Sequence, residues 1–215
     1  MSADLTLGVD AASASLRKAG ITSAMLDAPA MARVNTYFAL RGDWSRTHNL
    51  AGPRALRDPW RVDLVDACAL ASVIHKNMAL VDVGSGSGTP GLLVGCLRPE
   101  HPIILVEPIA KRTAFLRAAI SKLGLQNVRV YRGRWPIDVS HETYQIVSRA
   151  VVAPEAWPKL ALRGEPRPSV IIRMLGQKKP AFNLQSFVLD QRLDYHCEAN
   201  GDRCIEVWAD ARRAG

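Results

Sequence analysis

The stretch VDVGSGSGTPG, residues 81–91, places an acid and closely spaced glycines where a buried strand turns into a helix. The apolar residues that lead into it, from Leu80, are typical of a strand in the interior of a sheet. Glycines directly after such a strand adopt backbone conformations that side chains forbid, and they let a ligand approach the main chain. The chain is predicted to resume as a helix from Thr89, with unpaired amide groups pointing back at the loop. This stretch therefore predicts a nucleotide-type site in an α/β fold.

The residues around the glycines bear on which nucleotide is bound. Gly86, Gly88 and Gly91 satisfy the G-x-G-x-x-G spacing of dinucleotide-binding folds. Asp82, two residues ahead of Gly84, gives an apolar-Asp-x-Gly-x-Gly-x-Gly run that resembles motif I of class I S-adenosylmethionine methyltransferases. The pattern favours S-adenosylmethionine as the cofactor and leaves a nicotinamide dinucleotide as the alternative.

A second acidic residue supports an adenosine ligand. Glu107 follows the apolar run 103–106, which is predicted to be the next strand. A carboxylate at the tip of that strand can accept hydrogen bonds from both ribose hydroxyls of an adenosine, which both cofactor classes contain. Glu107 therefore indicates adenosine without deciding between the two cofactors.

Length and composition limit the class of protein. A chain of 215 residues, of which 48% are hydrophobic, can bury a sizeable core and suits one α/β domain with an appendage. No stretch approaches the roughly 20 apolar residues of a membrane span, and the start MSADLTLGVD lacks the pattern of a secretory signal. The cysteines and histidines show no metal-ligand spacing. We expect a cytoplasmic, monomeric protein that acts without a membrane or a metal.

The formal net charge of +8 is unevenly distributed. Residues 108–134 contain seven basic side chains and no acid. Because this basic run begins one residue after Glu107, part of it is predicted to rim the cofactor cleft, where clustered cations attract phosphate. A polyanionic substrate, and nucleic acid in particular, is therefore favoured over a small neutral metabolite.

The chain is predicted to have two parts, an N-terminal helical cap at residues 1–78 and a Rossmann-like domain at residues 79–215. The expected cap helices run from Asp10 to Ala19, from Pro29 to Arg41 and onward from Asp58, with a polar connection at residues 42–58. The second part alternates strand and helix, which predicts a parallel sheet with a cleft over the carboxyl ends of its strands. Its later expected helices are at residues 91–97, 110–123 and 154–162, and its later expected strands at residues 128–131, 145–148, 170–174, 187–189 and 204–208.

Several blocks along the chain resemble the bacterial small-subunit ribosomal RNA guanine-N7 methyltransferases, the GidB or RsmG family. The similarity runs from about Arg33 to Gln177, and its strongest stretches are HNLAGPRALRDP from His48, DVGSGSGTPG from Asp82, LRPE from Leu97, KRTAFLRAAISKLGLQNV from Lys111 and VSRA from Val147. The resemblance implies a class I S-adenosylmethionine methyltransferase sheet with an N-terminal helical cap. It also implies S-adenosylmethionine as the cofactor and small-subunit (16S) ribosomal RNA, or the 30S particle, as the partner.

The motifs and the resemblance together give the predicted site residues. Those expected to bind the cofactor are Asp82, Gly84, Ser85, Gly86, Ser87, Gly88, Glu107, Pro108, Arg134, Trp135 and Arg149. Those expected to bind RNA are Arg54, Arg57, Arg61, Lys111, Arg112, Arg173, Lys178 and Lys179. Arg149, just past the fourth predicted strand, is expected to position the cofactor carboxylate or a substrate phosphate by paired hydrogen bonds, or else to be a loop arginine tied to a helix end.

The chain departs from the family pattern in three places. They are Val62 and Asp63 in place of Arg-His, Trp135 and Pro136 where an acid follows Gly-Arg, and Leu175 and Gly176 in place of Lys-Gly. The lost arginine and lysine are expected to weaken RNA contact at those points, with Arg61, Arg173, Lys178 and Lys179 as nearby replacement charge.

Transfer of a methyl group to guanine N7 requires no general base, because N7 has a lone pair and no proton must leave before attack. No His, Glu or Cys constellation is therefore assigned a catalytic role. Rate enhancement is expected from alignment of the reacting atoms and exclusion of water, on a base that is unstacked. The alternatives are a methyltransferase of this descent with another anionic substrate, a noncatalytic RNA-binding module with an adenosine pocket, and an NAD-dependent oxidoreductase.

Overall fold

The structure is a computed structural model that describes residues 3–149, 151–176, 183–197 and 199–212. Its centre is one sheet, whose strands are β1 (Ala79–Val83), β2 (Ile103–Glu107), β3 (Val128–Arg132), β4 (Tyr144–Ser148), β5 (Val170–Leu175), β6 (Phe187–Cys197) and β7 (Gly201–Asp210). The seven strands are ordered β3-β2-β1-β4-β5-β7-β6. The order reverses at β1, so that β2 and β4 leave it on opposite sides. Such a switch point opens a crevice at the carboxyl ends of the strands.

The first five strands are parallel, and β7 pairs antiparallel with both β5 and β6. The predicted α/β class is confirmed, but a purely parallel sheet is wrong at this edge. β6 ends at Cys197 and β7 begins at Gly201, and so short a connection permits only antiparallel pairing. β6 is also much longer than the predicted strand 187–189, because most of its side chains are exposed and the apolar signal is weak.

The helices are α1 (Ala3–Lys18), α2 (Ala28–Ser45), α3 (Pro53–Arg57), α4 (Val65–Val73), α5 (Gly91–Leu97), α6 (Ala110–Leu123) and α7 (Trp157–Ala161), and a π-helix (Trp60–Leu64) runs directly into α4. The predicted helices 91–97 and 110–123 are confirmed, and α7 is shorter than predicted. Gly124 ends α6 with a φ of 65°, in the left-handed conformation expected of a glycine cap. No helix in the described part of the chain is both long enough and apolar enough to cross a bilayer.

The cap helices differ from the prediction at their ends. Asp10 lies inside α1 and does not cap it. Asp27 caps α2, and its Oδ1 accepts a 2.7 Å hydrogen bond from the amide of Ala30. α2 continues past Gly42, because a single glycine costs a helix only about 1 kcal/mol and this helix buries Tyr37 on its inner face. Part of the predicted polar connection forms α3.

Two hydrophobic clusters cover the two faces of the sheet. Alternate residues of β1 point to opposite faces, so Leu80 joins one cluster while Val81 and Val83 join the other. The first cluster also contains Leu16 of α1 and Tyr37 of α2, together with residues of α4, α5 and α6. The cap helices therefore pack into the core of the sheet, and the proposed division after residue 78 stays a prediction.

Candidate active site

A cavity of about 900 Å³ opens over the carboxyl ends of β1 and β2. It is lined by the glycine loop at residues 84–87, by residues 107–109 at the end of β2, by residues 133–135 after β3 and by residues 50–52 ahead of α3. Cavities of this size suit cofactors and other small ligands. The name donor cavity is used for it below.

The glycine loop presents bare main chain to the donor cavity. Gly84 and Gly86 have φ values of 72° and 58°, in the left-handed region that glycine adopts without steric cost. Among the described residues, the atom nearest to an added Cβ on Gly86 is the Gly84 carbonyl oxygen, at 3.9 Å, so this position faces open space. An added Cβ on Gly84 would overlap Val151. Gly88, predicted to bind the cofactor, does not line the cavity and faces Leu92, 2.8 Å from an added Cβ.

The carboxylate of Glu107 is fixed in the wall of the donor cavity. Its Oε2 accepts a 2.9 Å hydrogen bond from the amide of Gly86, and its Oε1 accepts a 2.8 Å bond from the amide of Ile109. The residue is only 1% exposed, so its orientation is set by these two bonds. Each carboxylate oxygen can accept a further bond. Glu107 thus links the glycine loop to the end of β2 and keeps acceptor capacity for a ligand hydroxyl.

Asp82 lies beneath the glycine loop, outside the donor cavity in which it was predicted to bind the cofactor. It is 1% exposed, and its Oδ2 accepts a 3.0 Å hydrogen bond from the amide of Gly91 at the start of α5. Burial raises the pKa of this carboxyl from 3.8 to about 6. Asp82 points toward α5, as alternate residues of β1 do. Its bond to Gly91 therefore fixes the turn from β1 to α5.

The other predicted wall residues do line the donor cavity. Ser85, Ser87, Pro108, Arg134 and Trp135 are all part of it. Trp135 is 8% exposed, and its indole N–H donates a 2.9 Å bond to the carbonyl oxygen of Leu160, which fixes the ring. Arg134 is exposed at the rim.

Arg149 lies past β4 and is held by three side chains. Its Nη2 donates a 2.6 Å hydrogen bond to the hydroxyl of Thr89, and its Nη1 lies 2.8 Å from Oδ1 of Asp63 and 3.5 Å from Oδ2 of Asp66. The side chain is 25% exposed and borders the donor cavity. Arg149 is thus tied to helical residues and borders the cleft, and its positioning role stays a prediction.

The sequence reading missed a buried ion pair behind Arg149. Asp63 is fully buried, and its Oδ2 accepts a 2.6 Å hydrogen bond from Nη1 of Arg41, which is 1% exposed. Nη2 of Arg41 donates to the carbonyl oxygen of Ala55 at 2.9 Å. The sequence marked Asp63 only as a departure from the family pattern. The pairing joins two helices 22 residues apart, so no local periodicity could have identified it.

The predicted RNA-binding residues divide by exposure. Arg54, Arg57 and Lys111 are exposed, whereas Arg112 is half-buried and lines the donor cavity. Arg61 pairs with Asp58 at 3.0 Å. Arg173, also expected to bind RNA, is not a surface cation. It is 2% exposed and pairs at 2.7 Å with Glu206, directly opposite on β7. Lys178 and Lys179 lie outside the described residues.

Sequence comparisons point to one group of proteins. The family model described as GidB, rRNA small subunit methyltransferase G, matches residues 30–179. A "Ribosomal RNA small subunit methyltransferase G" of Thermobifida fusca is 37% identical over 124 residues, which cover 58% of this chain and 52% of that protein. The protein of the same name from Neisseria meningitidis is 39% identical over 122 residues, which cover 54% of this chain and 58% of that protein. The chain thus spans little more than half the length of these curated relatives.

Solved structures agree on the fold. A putative RNA methyltransferase from Pyrococcus horikoshii superposes with a TM-score of 0.50 at 13% identity, covering 83% of this chain and 98% of that chain. The tRNA methyltransferase TrmK of B. subtilis also gives a TM-score of 0.50 at 13% identity, covering 67% of this chain and 64% of that chain. The sheet is therefore of the methyltransferase type.

Proposed function

The chain belongs to the GidB family, rRNA small subunit methyltransferase G, and we propose that it transfers a methyl group from S-adenosylmethionine to guanine N7 of small-subunit (16S) ribosomal RNA. One observation carries the proposal beyond family membership. The amide of Gly86 donates a 2.9 Å hydrogen bond to Glu107 inside a cavity of about 900 Å³. The open glycine loop and a carboxylate suited to the ribose hydroxyls of an adenosine therefore form one surface. We further propose that the protein acts as a cytoplasmic monomer on the RNA or the 30S particle.

The residues of the donor cavity fit S-adenosylmethionine. The open position at Gly86 leaves room for the amino-acid part of the ligand along the loop. Glu107 has acceptor capacity for the ribose hydroxyls, since its two bonds to Gly86 and Ile109 use one acceptor position of each oxygen. The fixed ring of Trp135 and the side chain of Arg134 line another part of the cavity, which we assign to the adenine. When bound, S-adenosylmethionine supplies a methyl group activated by its sulfonium centre.

The proposed reaction asks the protein to align atoms. Guanine N7 has a free lone pair, so no side chain needs to remove a proton before the methyl group is transferred. Groups that are already hydrogen-bonded, such as Glu107 and Arg149, give the cleft a fixed geometry. Fixed geometry and the exclusion of water lower the barrier by bringing the reacting atoms into line.

Basic side chains at the rim support an RNA substrate. Lys111 is exposed at the start of α6, two residues beyond Ile109 of the cavity wall, and Arg112 is part of the wall itself. Arg54 and Arg57 are exposed on α3, next to the 50–52 segment that lines the same cavity. Cations on two sides of one opening attract a phosphate backbone toward it.

Two measurements test the proposed function. Calorimetric titration with S-adenosylhomocysteine is expected to give saturable binding, whereas NADH is expected to give none, and the reverse would indicate an oxidoreductase. Mass spectrometry of 16S ribosomal RNA nucleosides from a strain that lacks the protein is expected to show one 7-methylguanosine fewer than the parent strain. Unchanged 7-methylguanosine with another RNA modification lost would assign a different substrate.

A further inference from the structure

A second cavity, of about 600 Å³, lies beside the donor cavity at the carboxyl ends of β4 and β5. The two cavities have four lining residues in common, Ala55, Asp63, Arg149 and Val152. A ligand in one cavity therefore lies next to a ligand in the other, with these four residues around the passage between them.

The second cavity has an apolar wall and a charged end. Val62, Pro154, Trp157 and Leu175 line the wall, and the ring of Trp157 is fixed by a 2.9 Å hydrogen bond from its indole N–H to the carbonyl oxygen of Ile172. Flat apolar walls suit a nucleobase that has left its stack.

At the charged end, Asp63 and Asp66 differ in how far their oxygens are used. Oδ1 of Asp66 accepts a 2.7 Å hydrogen bond from the hydroxyl of Tyr195, and its Oδ2 accepts a 2.9 Å bond from Nη2 of Arg203. Oδ1 of Asp63 is buried and forms an ion pair with Nη1 of Arg149 at 2.8 Å, with no further hydrogen bond among the described residues. A carboxylate oxygen can accept more than one hydrogen bond, so Oδ1 of Asp63 can accept one from a ligand that lies beside Arg149.

The local backbone places Asp63 at the passage. Asp63 belongs to the π-helix Trp60–Leu64, whose wider turn is uncommon and is frequently found at functional sites. Its side chain is thereby directed to both cavities while Oδ2 stays bonded to Arg41.

We propose that the second cavity holds the acceptor guanine, and that Oδ1 of Asp63 accepts a hydrogen bond from its N1–H while the guanidinium of Arg149 donates to its O6. This inference rests on the proposed function. The protein presents an acceptor, Oδ1 of Asp63, next to a donor, the guanidinium of Arg149, and guanine presents N1–H next to the acceptor O6. N1–H and N7 flank O6 on the base, so a carboxylate at the side of the passage can hold N1–H while N7 faces the methyl donor. Adenine has the opposite arrangement, with an acceptor at N1 and a donor at N6, and is rejected.

The cavity assignment is tested by filling the second cavity alone. Gly176 lines the second cavity and not the donor cavity, and no atom of the described residues lies within 4 Å of an added Cβ there. Gly176→Phe is expected to lower kcat/KM for small-subunit particles by at least about tenfold, with the Kd for S-adenosylhomocysteine within twofold of wild type. Gly42→Phe is the matched control, because Gly42 is equally unobstructed and lies on the exposed side of α2. Wild-type kcat/KM in Gly176→Phe would overturn the assignment.

Recognition of guanine by Asp63 and Arg149 is tested by a pair of variants. Asp63→Asn is expected to lower kcat/KM for the particles by about 10- to 100-fold, the effect of losing a charged hydrogen bond, and to weaken S-adenosylhomocysteine binding by much less. Asp66→Asn removes an equally buried charge whose two oxygens are already bonded to Tyr195 and Arg203, and a smaller loss is expected. Equal losses in the two variants would overturn the role of Asp63. A wild-type protein that binds S-adenosylhomocysteine but methylates no particle would overturn the proposed function itself, which is a separate outcome.

Discussion

The phenol of Tyr37 donates a 2.7 Å hydrogen bond to the carbonyl oxygen of Ser87, across 50 residues of sequence. Tyr37 is fully buried on α2, and burial raises the pKa of its phenol from 10.0 to about 12, so it remains a donor at neutral pH. The glycine loop is therefore held from two directions, by the cap through Tyr37 and by β2 through Glu107. The cap helix thus takes part in shaping the donor cavity.

Tyr37→Phe is expected to destabilise the fold by about 1–3 kcal/mol, because the Ser87 carbonyl loses a buried partner. A several-fold weaker binding of S-adenosylhomocysteine is also expected, since the loop becomes less fixed. Chemical denaturation and calorimetry measure the two effects. Tyr131→Phe is the control, because Tyr131 is 48% exposed and no change in either quantity is expected. Equal behaviour of the two variants would show that the bond to Ser87 has no effect.

Gly86→Val is expected to abolish S-adenosylhomocysteine binding, because the new side chain enters the open space next to the loop. Its φ of 58° also imposes a backbone strain of about 1–2 kcal/mol. Gly20→Val separates the two effects, since Gly20 has a φ of 68°, open surroundings among the described residues and no part in either cavity. Both variants are expected to lose similar stability and only Gly86→Val to lose the ligand. Normal affinity in Gly86→Val would contradict the pocket.

Asp82→Asn is expected to change how stability depends on pH. Burial raises the pKa of Asp82 from 3.8 to about 6, so between these values the folded protein binds a proton that the unfolded chain releases. This contribution to stability is fully present below pH about 4 and is lost as pH rises through about 6. The free energy of unfolding of Asp82→Asn, relative to wild type, is therefore expected to increase from pH 4 to pH 7. A difference that is the same at each pH would contradict the raised pKa.

Lys111→Glu is expected to weaken RNA binding and to reduce the slope of log Kd against log salt concentration by about 1, as for one phosphate contact. Lys111 is exposed and does not line the donor cavity, so the affinity for S-adenosylhomocysteine should not change. Arg17→Glu is the control, with an exposed charge at the end of α1. A loss of RNA affinity that is independent of salt, or equal in the two variants, would argue against a phosphate contact at Lys111.

The sequence predicts the parts of the fold that local chemistry determines. The apolar strands, the glycine after α6 and the alternation of strand and helix beyond Leu80 each have a local cause, and those elements are found. The ends of the cap helices are harder to predict from sequence, because they depend on burial against the rest of the fold. Gly42 is a stop signal in sequence, but α2 buries Tyr37 and Arg41 around it and continues. The edge strand β6 carries too few apolar residues in alternation to be predicted at full length.

For the site, sequence motifs give residues that line the donor cavity through main chain or at a strand tip, such as Gly86 and Glu107. They do not show which charged groups pair. Arg173 appears in sequence as a free cation, although it is buried against Glu206. The departures Val62 and Asp63 are adjacent to each other and far in sequence from Leu175, and all three line one cavity in the structure. Tertiary proximity of this kind has no signature in a single sequence.

The central claim is that the glycine-loop cavity delivers a methyl group to guanine N7 of small-subunit RNA. The most direct measurement is transfer of tritium from methyl-labelled S-adenosylmethionine to small-subunit particles from a strain that lacks the protein. We expect stoichiometric labelling that is recovered as 7-methylguanosine, and none with Gly86→Val. The absence of transfer by wild-type protein, or label recovered on a different nucleoside, would contradict the account.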